Sequence, residues 1–219
     1  MCKKLVIFDL DGTLLNTLGD LTQSVNHALR ECGVHITHDK ETIRTFVGNG
    51  IGKLLERSLP QECRNEACLN RMRDEFFPYY DQHSAELTEP YPGVVALLQQ
   101  LQEHGFLIAI ASNKYQEATE RLVHHYFPNI NFACIYGQRH NVPIKPHPQI
   151  VLDIIKEAGV VPEQVLYIGD SGVDMQTAHN AQVDAVGVTW GFRSIEELES
   201  YHPIAIVDSA AQILTICCN

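Results

Sequence analysis

No stretch of this chain is long and apolar enough to cross a bilayer. One of its longest apolar runs is FLIAIA at 106–111, where a spanning helix needs about 20 such residues. Basic residues are scarce: Lys and Arg number 16 against 27 Asp and Glu, a net charge of −11. That balance excludes the basic face a nucleic-acid partner requires, but it leaves room for a small anionic ligand held by local donors or a metal. None of the seven cysteines forms a CxxC pair. Cys63 and Cys68, and the adjacent Cys217 and Cys218, read as reduced structural thiols. Eleven histidines are present without an HExxH or comparable ligand spacing, and neighbours such as His124 and His125 diverge by roughly 100° on a helix. The early LVIF run leads into acids rather than small residues, unlike a signal peptide, so the expectation is a cytoplasmic protein with no membrane partner, monomeric or homodimeric.

What is present is an ordinary globular composition, 45% hydrophobic and 20% charged over 219 residues, enough for one core and a small second unit. Short β-branched runs alternate with helix-period stretches, the signature of a parallel sheet with crossover helices. The spacing predicts strands over 4–9, 107–112, 133–137, 165–170, 184–188 and 204–207. Between them it predicts helices over 93–105, 115–127, 148–159 and 172–182. Val94, Leu97, Leu98 and Leu101 make an apolar helical stripe that Gly105 ends. From about Leu18 to Leu87 no strand pattern occurs. Leu18, Leu21, Val25, Ala28 and Cys32 keep a helical period, and further helices are expected near 39–46, 50–58 and 61–82. The expected fold is therefore an α/β, Rossmann-like parallel sheet core (1–16 and 86–219) with an all-helical cap domain (17–85) inserted after the first strand. The turn residues EPYPG at 89–93 mark the return to the core.

In such a sheet, ligands gather at the carboxyl ends of the strands. Asp9, Asp11, Gly12 and Thr13 follow the first strand, and Ser112 and Asn113 the second. Lys145, in KPHP, follows the third after a loop, and Asp170, Ser171 and Asp174, in GDSGVD, follow the fourth. Taken singly, each has a structural reading as a turn, a helix cap or a solvated charge. Their collection at one sheet end makes a site. Two carboxylates placed so close cost free energy unless a cation or a set of donors offsets them. Asp9 is placed to attack phosphorus and carry the phosphoryl group. Asp11 is placed to protonate the leaving oxygen and then activate water. Mg²⁺ is the hard cation that carboxylates on two strands would hold, Asp170 supplying the second strand's ligand and Asp174 orienting the metal's water shell. Thr13, Ser112 and the amides around Gly12 can donate to phosphoryl oxygens while Lys145 balances charge.

FDLDGTLLNT, IASNK, KPHP and GDSGVD, in that order, closely resemble the motifs of the haloacid dehalogenase-like hydrolase superfamily across the whole core. The resemblance implies Asp9 as nucleophile and Asp11 as acid/base. It also implies Mg²⁺ on Asp9, Asp170 and the main-chain carbonyl of Asp11, and phosphate contacts from Ser112, Asn113 and Lys145. The family's dehalogenases and phosphonate hydrolases lack the acid found here at Asp11, and its sugar-phosphate mutases usually carry valine or a similar residue in place of Thr13. The implied activity is hydrolysis of a small phosphorylated metabolite. The stretch TIRTFVGNGIGKLLERSL (42–59) resembles the cap of phosphoglycolate phosphatases and makes 2-phosphoglycolate the first candidate. Pyrophosphatase, nucleotide or sugar phosphatase and phosphosugar mutase are alternatives within the superfamily, and a non-catalytic phospho-ligand binder is the alternative outside it. No strand precedes GNGIG (48–52), which argues against a dinucleotide loop. Gly48, Asn49 and Gly50 are expected to close over the site, with Arg44, Lys53 or Arg57 meeting a substrate carboxylate.

Overall fold

The computed structural model describes residues 2–218. In chain order the first part holds β1 (Leu5–Phe8), β2 (Leu15–Asn16), α1 (Leu18–Glu31), α2 (Lys40–Phe46), α3 (Gly50–Ser58), α4 (Glu66–His83) and β3 (Glu89–Pro90). Then come α5 (Val94–Glu103), β4 (Leu107–Tyr115), α6 (Gln116–Tyr126), β5 (Phe132–Gln138) and α7 (Gln149–Ala158). The chain ends with β6 (Val165–Gly169), α8 (Gly172–Asn180), β7 (Asp184–Val188), α9 (Ile195–Glu199), β8 (Ala205–Val207) and α10 (Ala210–Cys218).

Every residue of β1 is apolar and fully buried, a pattern that belongs in the middle of a sheet covered on both faces. Val6 and Phe8 enter one core with Val94, Leu97, Leu98 and Leu101 of α5 and Ile213 of α10. Leu5 and Ile7 enter the other, with Ile150, Val151 and Ile154 of α7 and Met175 of α8. The sheet order is β5-β4-β1-β6-β7-β8, and all of its pairings are parallel. β1 therefore lies between β4 and β6, and the order reverses beside it. That reversal opens the crevice where ligands bind in open α/β sheets.

Helices α1 to α4 form a separate cluster built on Leu21, Val25, Leu29, Ile43, Leu55, Met72 and Phe76, which Ala118 of α6 and Phe192 of the loop after β7 also join. The antiparallel pair β2–β3 holds the entry and exit of this insertion together. The buried Asp20 carboxylate reinforces the junction by accepting from the Leu87 and Thr88 amides, both at 2.9 Å, and from the Thr88 hydroxyl at 2.7 Å.

The α/β fold matches the sequence expectation, with three differences of detail. β4 runs to Tyr115 instead of stopping at residue 112, because a register shift after Ala111 lets Tyr115 pair with Gln138. Ser112, Asn113 and Lys114 sit inside that irregularity, where side chains are re-aimed. α4 begins at Glu66 rather than residue 61, capped by Asn65, whose side chain accepts from the Cys68 amide at 3.0 Å. Two short strands and the helices α9 and α10 were not expected from the pattern.

Candidate active site

The turn after β1 places Asp9 beside Asp170, the residue that follows β6. The Asp9 amide donates to Ile168 O at 2.9 Å, which continues the sheet ladder and fixes Asp9 at the strand mouth. Gly12 adopts φ +92°, and a Cβ there would lie 2.4 Å from Asp170 Oδ2. Only glycine serves, because the backbone is left-handed and Asp170 occupies the space. Gly12→Ala is expected to cost about 1 kcal/mol or more in urea unfolding, because the turn is strained and Asp170 displaced; unchanged stability would contradict this geometry. Asp170 is held from two sides, by the Thr13 hydroxyl at 3.2 Å and the Phe192 amide at 2.7 Å. Ser171 caps α8, and Asp174 on the first turn of that helix points back to the same place.

Ligand oxygens of Asp9, Asp170 and Asp174, all buried, lie within 4.8 Å of one another. The one ammonium among them is Lys145. Its Nζ donates to Asp9 Oδ1 at 2.8 Å, Asp174 Oδ1 at 2.7 Å, Ala111 O at 2.8 Å and the Tyr167 hydroxyl at 3.0 Å. Burial opposes the charge on Lys145, but Asp174 and Asp9 outweigh it and hold the ammonium well above its usual range. Burial pushes the Asp9 carboxyl up to about 7, against the pull of Lys145 and with Asp174 adding to the rise. Burial also carries Asp170 well above the carboxylate range, with Asp174 and Asp9 adding to it. Three buried acids against one ammonium are short of positive charge, and an all-oxygen donor set of this kind fits Mg²⁺.

The same cavity holds a second ion pair. Lys114, almost fully buried at the end of β4, donates to Oδ1 and Oδ2 of Asp11, both at 3.1 Å. Its Nζ also lies 4.7 Å from the centre of the Tyr80 ring. These groups line a cavity of about 50 Å³ together with the acidic cluster and with Leu21, Val47, Ile51, Leu54 and Phe76 of the helical insertion. Tyr80 lines the same cavity, and its buried hydroxyl has no hydrogen-bond partner among the described residues. Burial and the Asp11 charge push that phenol well above its usual range, so it stays a neutral donor. Removing an unsatisfied buried hydroxyl relieves about 1 kcal/mol or more. Tyr80→Phe is therefore expected to be at least as stable as the wild type in urea unfolding, and a loss beyond 1 kcal/mol would reveal a partner for that oxygen.

The structure brings Asp9, Asp11, Lys145, Asp170 and Asp174 together, with Ser112, Asn113, Gly48 and Gly50 on the same cavity. It uses three of the expected phosphate donors otherwise. Gly12 lies off the cavity lining, and its amide donates to Leu15 O at 2.9 Å while the Thr13 amide donates to Leu10 O at 3.3 Å, so both are spent within the turn. The Thr13 hydroxyl is turned to Asp170, away from the cavity lining. The Asn113 side chain is spent on scaffolding: its Nδ2 donates to Gly48 O at 2.9 Å and Lys145 O at 3.0 Å, and its Oδ1 accepts from the Lys145 amide at 2.8 Å. Asn49, at the N-terminus of α3, lies off the cavity lining, as do Arg44, Lys53 and Arg57. Lys53 corrects the expectation most plainly: it is exposed and pairs with Glu56 one helical turn on, at 2.6 Å. Arg57 donates to Phe46 O at 2.9 Å, and Arg44 to Phe192 O at 2.7 Å.

Sequence reasoning missed Lys114, Tyr80, Phe192 and Arg193. Lys114 directly follows Ser112 and Asn113 in IASNK, and that place in the motif is its signal in the sequence. Arg193, in the loop after β7, reaches the insertion and donates to Arg44 O at 2.8 Å and to Val47 O. With the return bond from Arg44 to Phe192, it fastens the insertion down over the sheet mouth.

The sequence model of the haloacid dehalogenase-like hydrolases matches residues 6–188. The phosphoglycolate phosphatase of Pasteurella multocida is 32% identical over 219 residues, covering 97% of both chains. That of Mesorhizobium japonicum is 31% identical over 209 residues, covering 94% of this chain and 91% of its own. Among solved structures, a predicted phosphoglycolate phosphatase from Haemophilus somnus superposes with a TM-score of 0.90 at 30% identity, covering 98% of this chain and 97% of that one.

Proposed function

The chain belongs to the haloacid dehalogenase-like hydrolase family and is a phosphatase, and we propose that it hydrolyses 2-phosphoglycolate through a phosphoryl group carried on Asp9. The observation that carries this reading is the buried cluster of Asp9, Asp170 and Asp174 around Lys145 at the mouth of the central strand. Its excess negative charge is what a dianionic substrate could not approach unaided. Asp9 and Asp170 would hold Mg²⁺, together with the Asp11 main-chain carbonyl, and Asp174 would orient its water shell. When bound, the ion supplies charge neutralisation at the phosphoryl oxygens.

The chain's own groups perform the transfer. Lys145 fixes one oxygen of Asp9, which aims the carboxylate at phosphorus, and the Ser112 hydroxyl donates to a phosphoryl oxygen. As the Asp9–phosphorus bond forms and the ester bond breaks, Asp11 gives a proton to the departing alkoxide. A water then attacks the phosphorus of the aspartyl-phosphate, Asp11 takes its proton, and phosphate leaves with Asp9 restored. Residues 17–85 act as a cap that closes this step off from bulk water, with core segments 1–16 and 86–219 below it. The phosphoglycolate phosphatase relatives support a short substrate.

A phosphomonoester panel assayed with Mg²⁺ and with chelator tests the reading. Mg²⁺-dependent phosphate release that favours 2-phosphoglycolate at least tenfold is expected. Equal slow release from all esters would remove the named substrate, and release unaffected by chelator would remove the metal. Mg²⁺ is also expected to raise the melting temperature, since a ligand of the native state stabilises it by mass action. An unchanged melting curve at millimolar Mg²⁺ would contradict a site on these three acids.

A further inference from the structure

If Asp11 protonates the departing oxygen, the rest of the leaving group must lie beside Asp11. In 2-phosphoglycolate one methylene separates that oxygen from a carboxylate, so the carboxylate falls within a few bond lengths of Asp11. The wall that faces it is apolar, with Leu21, Val47, Ile51, Leu54 and Phe76 toward the cavity. A carboxylate desolvated against such a wall without a counter-charge is strongly disfavoured.

The insertion supplies no cation to the cavity lining, because Arg44, Lys53 and Arg57 are engaged outside it. Among the lining cations, Lys145 is committed to four oxygens, and Arg193 anchors two main-chain carbonyls of the insertion and faces the Glu197 carboxylate at 3.8 Å, with no bond to Asp11. Lys114 is different. It is buried, it sits at Asp11, and its ammonium has three N–H groups, of which the two Asp11 oxygens occupy two.

Resting on the phosphoglycolate reading, we infer that Lys114 is the counter-charge for the substrate's carboxylate. It bridges that group to Asp11 and selects acids over neutral phosphate esters. Lys114 thus acts as a specificity residue, set by its place at the end of β4 between the acid/base carboxylate and the Tyr80 ring.

The test uses two inert phosphonates of equal length, 3-phosphonopropionate and propylphosphonate, bound to the whole protein with Mg²⁺ and followed by calorimetry. The wild type is expected to bind the carboxylated ligand about tenfold or more tightly, the worth of a charged hydrogen bond. Lys114→Met, checked for folding by its melting curve, is expected to bring the ratio below about twofold. A wild type with no preference overturns the phosphoglycolate reading itself. A wild type that prefers the acid and a Lys114→Met that keeps the preference overturn only the role of Lys114. Should Lys114→Met not fold, a crystal structure of the wild type with 3-phosphonopropionate and Mg²⁺ decides. The carboxylate on Lys114 Nζ supports the assignment, and the carboxylate on Arg193, or away from both, overturns it.

Discussion

Asp9→Asn is expected to lower turnover by roughly three orders of magnitude or more, the scale seen when a nucleophile that works as part of a unit is removed. The amide oxygen can still accept from Lys145, so the strand mouth keeps its shape, but an amide does not attack phosphorus. The same substitution has a signature in stability. The Asp9 carboxyl ionises near 3.8 in the unfolded chain and at about 7 in the metal-free fold. Between those values the folded protein holds a proton on Asp9 that the unfolded chain has released, so the Asp9 contribution to stability falls as pH rises from about 4 to 7 and then levels off. Asn at this position carries no such charge. Urea unfolding without metal should therefore show a shallower fall for Asp9→Asn across that window. Retained turnover in a pure sample would remove Asp9 from the nucleophile's role, and parallel stability curves would show that its ionisation is compensated in the fold.

Lys145→Met carries the largest expected cost to stability. The ammonium is fully enclosed and touches Asp9, Asp174, Tyr167 and a main-chain carbonyl. Removing one partner of a buried ion pair costs about 3–5 kcal/mol because the remaining charge has no compensation. Protonation of Asp9 softens that cost at low pH, so the loss should be greater at pH 8 than at pH 5. Mg²⁺ should recover part of it by replacing the lost positive charge. Chemical unfolding at the two pH values, with and without Mg²⁺, measures all of this. A loss below about 1 kcal/mol at pH 8 would mean that Lys145 does not balance the cluster.

Much of the fold was legible because its signals are local. The uninterrupted LVIF run, the switch to helical period after Leu18 and the return at EPYPG each come from a few adjacent residues, and the sheet and its insertion follow from them. The acids at the strand ends were legible for the same reason, since any strand entering a parallel sheet places its next residues at the mouth. What could not be read is where a polar side chain spends its hydrogen bonds. Thr13 and Asn113 look like phosphate donors, yet they serve Asp170 and the loops around Lys145. Lys53 and Lys114 are both lysines beside suggestive motifs, yet one faces solvent with Glu56 and the other is buried on Asp11, 103 residues away in the chain. The grip of Phe192 on Asp170 is a main-chain contact and leaves no mark in residue type. Helix face and tertiary distance decide these cases, and neither is a property of a short motif.

The most direct test is rapid quenching of the wild type with 2-phosphoglycolate and Mg²⁺, followed by mass spectrometry of the peptide containing residues 5–17. The account predicts a phosphoryl group on Asp9 during turnover, labile to hydroxylamine and absent from Asp9→Asn. Turnover with the phosphoryl group on another residue, or with no phosphorylated enzyme at any quench time, would contradict it.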